Sequence, residues 1–273
     1  MKDVKIGFIG AGNIASAIVG GISSGVYINT DKIYIYDLVA EKAEAIATCG
    51  AHTVKTACEV ASGCNIVFLT VKPQVYPAVL EEIKGALSPE TVLVSVAPGI
   101  SIAQIKETVG FDCKVIRTMP NTPLLLGQGA VAVCTASPVA ESEFETVKQI
   151  FASSGMVAQI EEAQMDAVIA VHGSSPAYVF LMAKAVVDYA VSEHIAYDAA
   201  LELFAQTLRG AADMLMKSGK TPDELITMVK SPKGTTEAAL DTLESMHFYD
   251  ALTEGMKSCT KRALELGGGR KDA

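Results

Sequence analysis

Within "IGFIGAGNIASAI", Gly10, Gly12 and Ala15 form a G-x-G-x-x-A pattern. A continuous apolar run, "VKIGFIG", leads into it, and a helical stretch from Asn13 to Ser23 leaves it. A glycine triplet between a buried strand and a helix is a phosphate cradle. Gly10 permits the tight turn, Gly12 lets a pyrophosphate approach the backbone, and Ala15 lets helix and strand pack closely. The phosphates then lie at the helix N-terminus, beside the backbone of Ala11, Asn13 and Ile14. Asp37 ends the next apolar run, "KIYIYD", 22 residues beyond Ala15. An acid at that place accepts from adenosine ribose hydroxyls and repels a 2′-phosphate. The expected cofactor is NADPH or NADH, and Asp37 leans towards NADH. Lys42 could soften the repulsion, and Asp37 could instead cap the following helix. The chemistry implied is hydride transfer.

Three further loops suit the same cofactor. "TVKPQ" (70–74) carries Val71, Lys72 and Pro73, "SVAPGI" (95–100) carries Ala97 and Pro98, and "RTMPNTP" (117–123) carries Asn121. Each follows a strand pattern, and ligands of open parallel sheets lie beyond the carboxyl ends of strands. The Asn121 amide can both donate and accept. Much later, "SPKGTTEAAL" (231–240) has the form of a binding loop that opens a helix. Backbone N–H groups of Gly234, Thr235 and Thr236 could cradle an anion there. Thr235 or Thr236 could equally be a plain N-cap. "HGSSPAY" (172–178) interrupts an apolar helix. Gly173 and Pro176 predict a kink that exposes Ser174 and Ser175, a purely structural kink fitting as well. His172 is either a proton donor or a packed core residue.

The elements that must position these residues change character midway. Up to about residue 160, strand patterns ("NIVFLTV", "TVLVSVA", "KVIRTM", "GAVAVCTA", "GMVAQI") alternate with short helical segments. Such alternation predicts an α/β, doubly wound parallel sheet. From Glu161 the apolar period becomes three and four, and no strand pattern returns. "TPDELITMVK" opens with Thr221 as N-cap, Pro222 at the first helical position and Glu224 three residues on from Thr221. The expected domains are 1–160 and an all-helical 161–273.

Composition excludes several classes. The net charge is −9 over 273 residues, and the sequence pI is about 5.0, so a nucleic-acid partner is not expected. Mean hydropathy is +0.33, which hints at apolar surface hidden in an oligomer. The six cysteines lack a C-x-x-C and any zinc-like spacing with histidine, so reduced thiols, no metal and a cytoplasmic location are expected. The run 167–183 holds His172, Gly173 and Pro176 and reads as a kinked, buried helix rather than a membrane span. Lys2 and Asp3 lead straight into a strand pattern without a signal peptide. "GGGRKDA" reads as a frayed tail.

Taken together, "GFIGAGNIASAI", "VKPQ", "MPNTP", "GSSPAY" and "SPKGTT" resemble the pyrroline-5-carboxylate reductase family in order and spacing, nearly end to end. The resemblance implies a Rossmann-like sheet followed by an all-α helical dimerisation domain. It implies a homodimer through that domain and higher assembly, often a decamer. The implied reaction is reduction of (S)-1-pyrroline-5-carboxylate to L-proline by NAD(P)H, the last step of proline biosynthesis. By the resemblance Thr236 is the candidate catalytic residue, and Ser175, Ser231, Gly234, Thr235 and Thr236 would bind substrate. The family's G-S-G-P is Gly173-Ser174-Ser175-Pro176 here, and its S-P-G-G-T-T has Lys233 at the third position. Another cyclic imine therefore stays open as substrate, as does a non-catalytic dinucleotide-binding sensor. A 3-hydroxyacid dehydrogenase would want a catalytic lysine early in the second domain, but Lys184 lacks the companion pattern.

Overall fold

The computed structural model describes residues 4–24 and 28–268. Lys2, Asp3 and all but the first two residues of the expected tail lie outside them. The chain divides into two compact units, Met1–Pro176 with Ser258–Ala273, and Ala177–Lys257.

The first unit holds one eight-stranded sheet in the order β3-β2-β1-β4-β5-β6-β7-β8. Its strands are β1 (Ile6–Ile9), β2 (Ile33–Tyr36), β3 (His52–Thr53), β4 (Ile66–Leu69), β5 (Val92–Ser95), β6 (Lys114–Pro120), β7 (Gly129–Thr135) and β8 (Gly155–Gln159). Its helices are α1 (Asn13–Ser24), α2 (Ala40–Ala47), α3 (Ala57–Gly63), α4 (Tyr76–Ile83), α5 (Ile102–Val109) and α6 (Glu141–Ala152). β1, β4 and β5 are buried at every residue, as strands covered on both faces must be. Phe8 of β1 stacks on Phe68 of β4 with ring centroids 4.9 Å apart, and Phe151 of α6 meets Phe68 edge-on at 5.8 Å.

β1 lies between β2 and β4, so the strand order reverses beside it. Register aligns Ile9 with Tyr36 and with Leu69, and Leu69 with Ser95. The four strand ends are therefore level, and the loops that leave them line one edge of the sheet.

One strand expectation needs correction, and one strand went unread. The sheet is mostly parallel, but β7 runs antiparallel to β6. The connection from Pro120 to Gly129 holds only a short 3-10 turn, Thr122–Leu126. A parallel return needs a crossover of a dozen or more residues. β3 is an exposed two-residue edge strand, too short to leave an apolar pattern.

The change of period at Glu161 falls just after the last strand, and packing against the sheet continues past it. Met165 is fully buried. The Glu162 carboxylate accepts from the Ile102 N–H at 2.7 Å. Ile169–Gly173 forms a π-helical turn before α7 (Ser175–Ser192). The helix is interrupted as expected but is not buried in the chain: Phe180, Leu181 and Tyr189 are exposed.

The second unit contains most of α7, then α8 (Tyr197–Lys217), α9 (Pro222–Val229), α10 (Thr235–Ser245) and part of α11 (Phe248–Leu266). Thr221 and Glu224 form the expected capping box at α9. α8 stops at Lys217, and Gly219 follows in the left-handed region. The buried core here is Val187, Ala190 and Ala200. Leu203, Met216, Val229, Met246 and Tyr249 are exposed. Apolar area on that scale marks an interaction surface.

Candidate active site

The glycine-rich turn connects β1 to α1. Gly10 has φ +101°, and a Cβ there would stand 2.8 Å from the Thr70 carbonyl oxygen. Only glycine fits that turn. The Gly10 N–H donates to the Tyr36 carbonyl at 2.8 Å, and the Thr70 hydroxyl donates to the Gly10 carbonyl at 2.6 Å. Gly12 differs: a Cβ there would meet nothing within 4 Å. The space above Gly12 is open, as a pyrophosphate requires. Ala15 is fully buried, and the first turn of α1 carries no acidic residue. The exposed backbone of Gly12 and Asn13 thus faces solvent at the positive end of a twelve-residue helix. These residues fit a dinucleotide.

Asp37 follows β2. The N-cap of α2 is Val39, so Asp37 does not occupy the cap position. Its Oδ2 accepts from the Ala11 N–H at 2.7 Å, and its Oδ1 accepts from the Val39 N–H at 2.9 Å. The carboxylate is thus fixed beside the cradle with lone pairs left for ribose hydroxyls. No ion pair joins Lys42 to Asp37 among the described residues.

Val71, Lys72 and Pro73 follow β4, Ala97 and Pro98 follow β5, and Asn121 follows β6, all on the edge that carries Gly10 and Asp37. The expectation for the Asn121 amide needs sharpening. Asn121 is 8% exposed; its Oδ1 accepts from the Ala130 N–H at 2.9 Å, and its Nδ2 donates to the His172 carbonyl at 3.1 Å. Both ends of the amide are occupied within the protein.

Buried hydroxyls tie these strand ends together, and the sequence reading missed them. The Tyr76 hydroxyl donates to the Leu69 carbonyl at 2.6 Å and accepts from Ser95 Oγ at 3.1 Å and the Val96 N–H at 3.3 Å. Burial pushes the Tyr76 hydroxyl up to about 12, so it stays a donor. The Thr118 hydroxyl donates to the Ser95 carbonyl at 3.0 Å. Arg117, 1% exposed, also went unread: its Nη2 donates to Asp166 Oδ1 at 2.5 Å, while its buried Nε has no partner among the described residues. A lone arginine inside the apolar run "KVIRTM" was the available signal.

Ser174 ends the π-helical turn, where its hydroxyl accepts from Cys259 Sγ at 3.3 Å. Ser175 is the first residue of α7. His172 has both ring nitrogens on backbone carbonyls, Nε2 2.7 Å from Met119 O and Nδ1 3.0 Å from Val168 O, so it presents no free nitrogen to a substrate.

In the second unit, the 231–236 turn opens α10. Gly234 is the N-cap with extended backbone, and a Cβ there would stand 2.2 Å from Ser231 Oγ. Thr235 and Thr236 are the first two helical residues rather than caps. Their hydroxyls have no hydrogen-bond partner among the described residues. Lys233 has φ +58°, a left-handed conformation that its neighbour Glu237 braces: Glu237 Oε2 accepts from the Lys233 N–H at 2.7 Å. Lys230 Nζ lies 3.4 Å from Glu237 Oε1.

All six cysteines are free thiols, and burial pushes Cys64 and Cys134 up to about 12. Among the described residues no cluster of three or more His, Cys, Asp or Glu side chains could hold a metal ion. No helix among them is long and apolar enough to cross a membrane.

Comparison with known proteins agrees with this geometry in both halves. Residues 5–99 match the family described as NADP oxidoreductase coenzyme F420-dependent, and residues 162–266 match pyrroline-5-carboxylate reductase dimerisation. Pyrroline-5-carboxylate reductase of Escherichia coli (strain K12) is 36% identical over 263 residues, 96% of this chain and 98% of that protein. The Arabidopsis thaliana pyrroline-5-carboxylate reductase is 35% identical, over 97% of this chain and 96% of that protein. The crystal structure of Plasmodium falciparum pyrroline carboxylate reductase with NADP bound superposes with a TM-score of 0.91. It is 30% identical and covers 98% of this chain and 99% of that one. Agreement over nearly the whole length, from the glycine turn through the helical half, places this chain in the pyrroline-5-carboxylate reductase family.

Proposed function

We propose that this protein reduces (S)-1-pyrroline-5-carboxylate to L-proline, the last step of proline biosynthesis, with NADH or NADPH as hydride donor. The observation that carries this reading is full-length agreement with reductases of that name, joined to an intact cradle at Gly10, Gly12 and Ala15. Bound dinucleotide supplies the hydride that the imine carbon accepts, and the imine nitrogen ends as the proline amine once it carries a proton. Little acid–base chemistry is needed, because a protonated imine is already electrophilic.

The chain's residues bind and orient. Gly12, Asn13 and Ile14 offer backbone N–H groups to the pyrophosphate at the turn that Gly10 and Ala11 shape, whose own N–H groups are held by Tyr36 and Asp37. Asp37 takes the adenosine ribose, and the loops with Val71, Lys72, Pro73, Ala97, Pro98 and Asn121 the remaining dinucleotide. The Thr235 N–H and the Ser231 hydroxyl take the substrate carboxylate at a turn closed by the Gly234 N–H, which donates to the Ser231 carbonyl at 3.0 Å. Ser175 is proposed to bind substrate on the family resemblance. The Thr236 hydroxyl, without a partner among the described residues, is the catalytic candidate, proposed to hydrogen-bond the imine nitrogen or pass it a proton through water. Asp37, fixed by two N–H donors, favours NADH.

We assign the assembly as a homodimer through the helical unit, whose exposed apolar residues support burial against a second copy, with further assembly up to a decamer. Six free thiols support a reducing, cytoplasmic location. The decisive assay follows oxidation of NADH and of NADPH separately with pyrroline-5-carboxylate. Turnover is expected with both and faster with NADH; no turnover with either defeats the proposal. Thr236→Val is expected to cut kcat/KM by about a hundredfold with dinucleotide affinity intact; an unimpaired variant removes that assignment.

A further inference from the structure

Pro176 has a consequence four residues upstream. In a regular helix the His172 carbonyl would accept from the N–H of residue 176, but proline has none. The chain forms a π-helical turn over Ile169–Gly173 instead, with the Ser174 N–H on the Ile169 carbonyl at 2.8 Å. Such turns concentrate at functional sites. The His172 carbonyl takes a partner from outside its own segment: Asn121 Nδ2, at 3.1 Å. The same residue returns the contact through its ring, because Nε2 lies 2.7 Å from the Met119 carbonyl. Both ring nitrogens face carbonyls and a neutral imidazole has one N–H to donate, so we assign the proton to Nε2, which makes the shorter of the two contacts. Nδ1, 3.0 Å from the Val168 carbonyl, sets the ring against its own turn. Met119 and Asn121 flank Pro120, the last residue of β6. Two hydrogen bonds running in opposite directions therefore join the end of β6 to the turn that leads to Ser174 and Ser175. Both partners lie within the first compact unit.

We propose that His172 is a positioning residue for dinucleotide binding: its Nε2–H on the Met119 carbonyl holds the Asn121 loop at the height the cofactor needs. This rests on the reading of that loop as part of the dinucleotide site. The side chain of Asn121 is itself occupied, so the loop meets the cofactor through backbone whose position the clamp sets. A proton-donor role for His172 would need a free ring nitrogen, which the geometry denies.

The test compares His172→Leu, His172→Asn and His172→Gln. The Gln amide nitrogen can stand near the place of Nε2, whereas the Asn amide nitrogen reaches only the place of Nδ1. NADH Kd is read by fluorescence titration, KM and kcat by turnover, and Tm without nucleotide. Leu and Asn variants are expected to raise NADH Kd and KM about tenfold, the size of one lost hydrogen bond, with kcat within about twofold. Gln is expected to restore Kd to within about twofold of wild type. If the Leu variant does not fold, the Asn–Gln contrast decides. Wild-type Kd in all three variants overturns the proposal. So does equal weakening in Asn and Gln, or a fall in kcat and Tm with Kd unchanged. A wild-type protein that binds NADH but leaves pyrroline-5-carboxylate unreduced defeats the functional reading, while the Kd series still decides the clamp.

Discussion

Asp37→Asn should raise the use of NADPH relative to NADH. The carboxylate is held by the Ala11 N–H at 2.7 Å and the Val39 N–H at 2.9 Å. Turning away from a 2′-phosphate would break both bonds, each worth about 1.5–3 kcal/mol when the acceptor is charged. The carboxylate therefore stays and repels. Two unit charges about 4 Å apart cost about 1 kcal/mol in water, and about 4 kcal/mol at an effective dielectric near 20. The phosphate carries nearly two charges, but the site is partly open to solvent and screening discounts the larger figure. A penalty of about 2 kcal/mol, or about 30-fold in affinity, is the working value. Asparagine keeps an oxygen for the Ala11 N–H and removes the charge. The ratio of kcat/KM for NADPH to that for NADH should rise about 30-fold, and less in high salt, where the Debye length shrinks below about 8 Å. Steady-state kinetics with each cofactor at low and physiological ionic strength reads this directly. A ratio that moves less than threefold, or a wild-type enzyme that strongly prefers NADPH, refutes the electrostatic argument.

Gly12→Ala should leave Tm within a degree or two and weaken NADH binding at least tenfold, because its Cβ meets only the open space above the turn. Gly10→Ala should instead lower stability by about 2 kcal/mol or more, since its φ is +101° and its Cβ strikes the Thr70 backbone; denaturant melts separate the two. Tyr76→Phe removes the acceptor of the Ser95 O–H and the Val96 N–H and should cost about 1–3 kcal/mol by the same melts. Lys233→Gly relieves the left-handed φ of +58° and should change substrate KM less than about twofold, because the exposed Lys233 makes no ion pair among the described residues; a marked rise in KM would reveal a charge role. Glu237 is held below its usual pKa by the Lys233 N–H first and Lys230 second. Its bracing of the 231–236 turn is complete above pH 4.5 and is lost as pH falls through the lowered value. Proteolysis of that turn should accelerate on acidification in the wild type and be fast and pH-independent in Glu237→Ala.

Much of the site was legible because its rules are local. A φ of +101° at Gly10 and an open Gly12 follow from a glycine turn between strand and helix. The Thr221–Glu224 capping box depends on residues three apart, whereas the left-handed Lys233 was signalled only by the glycine that the resembling family carries there. The loops at 70–74, 95–100 and 117–123 follow from the carboxyl ends of strands. What each side chain does there was not legible. Asn121 looked free to bind, yet Ala130 and the His172 carbonyl, 51 residues away in the chain, occupy its amide. His172 was open between acid and core until the Met119 and Val168 carbonyls were found on its ring. Arg117 finds Asp166 across 49 residues, and the reversal of β7 was set by a connection too short for a crossover. The sequence alone determined the cradle, the alternation of strand and helix, and the turn chemistry, because each is a matter of neighbouring φ, ψ and hydrogen bonds. Only tertiary structure decided which polar groups remain free for a ligand, because a buried amide or imidazole bonds whatever carbonyl the packing brings within 3 Å.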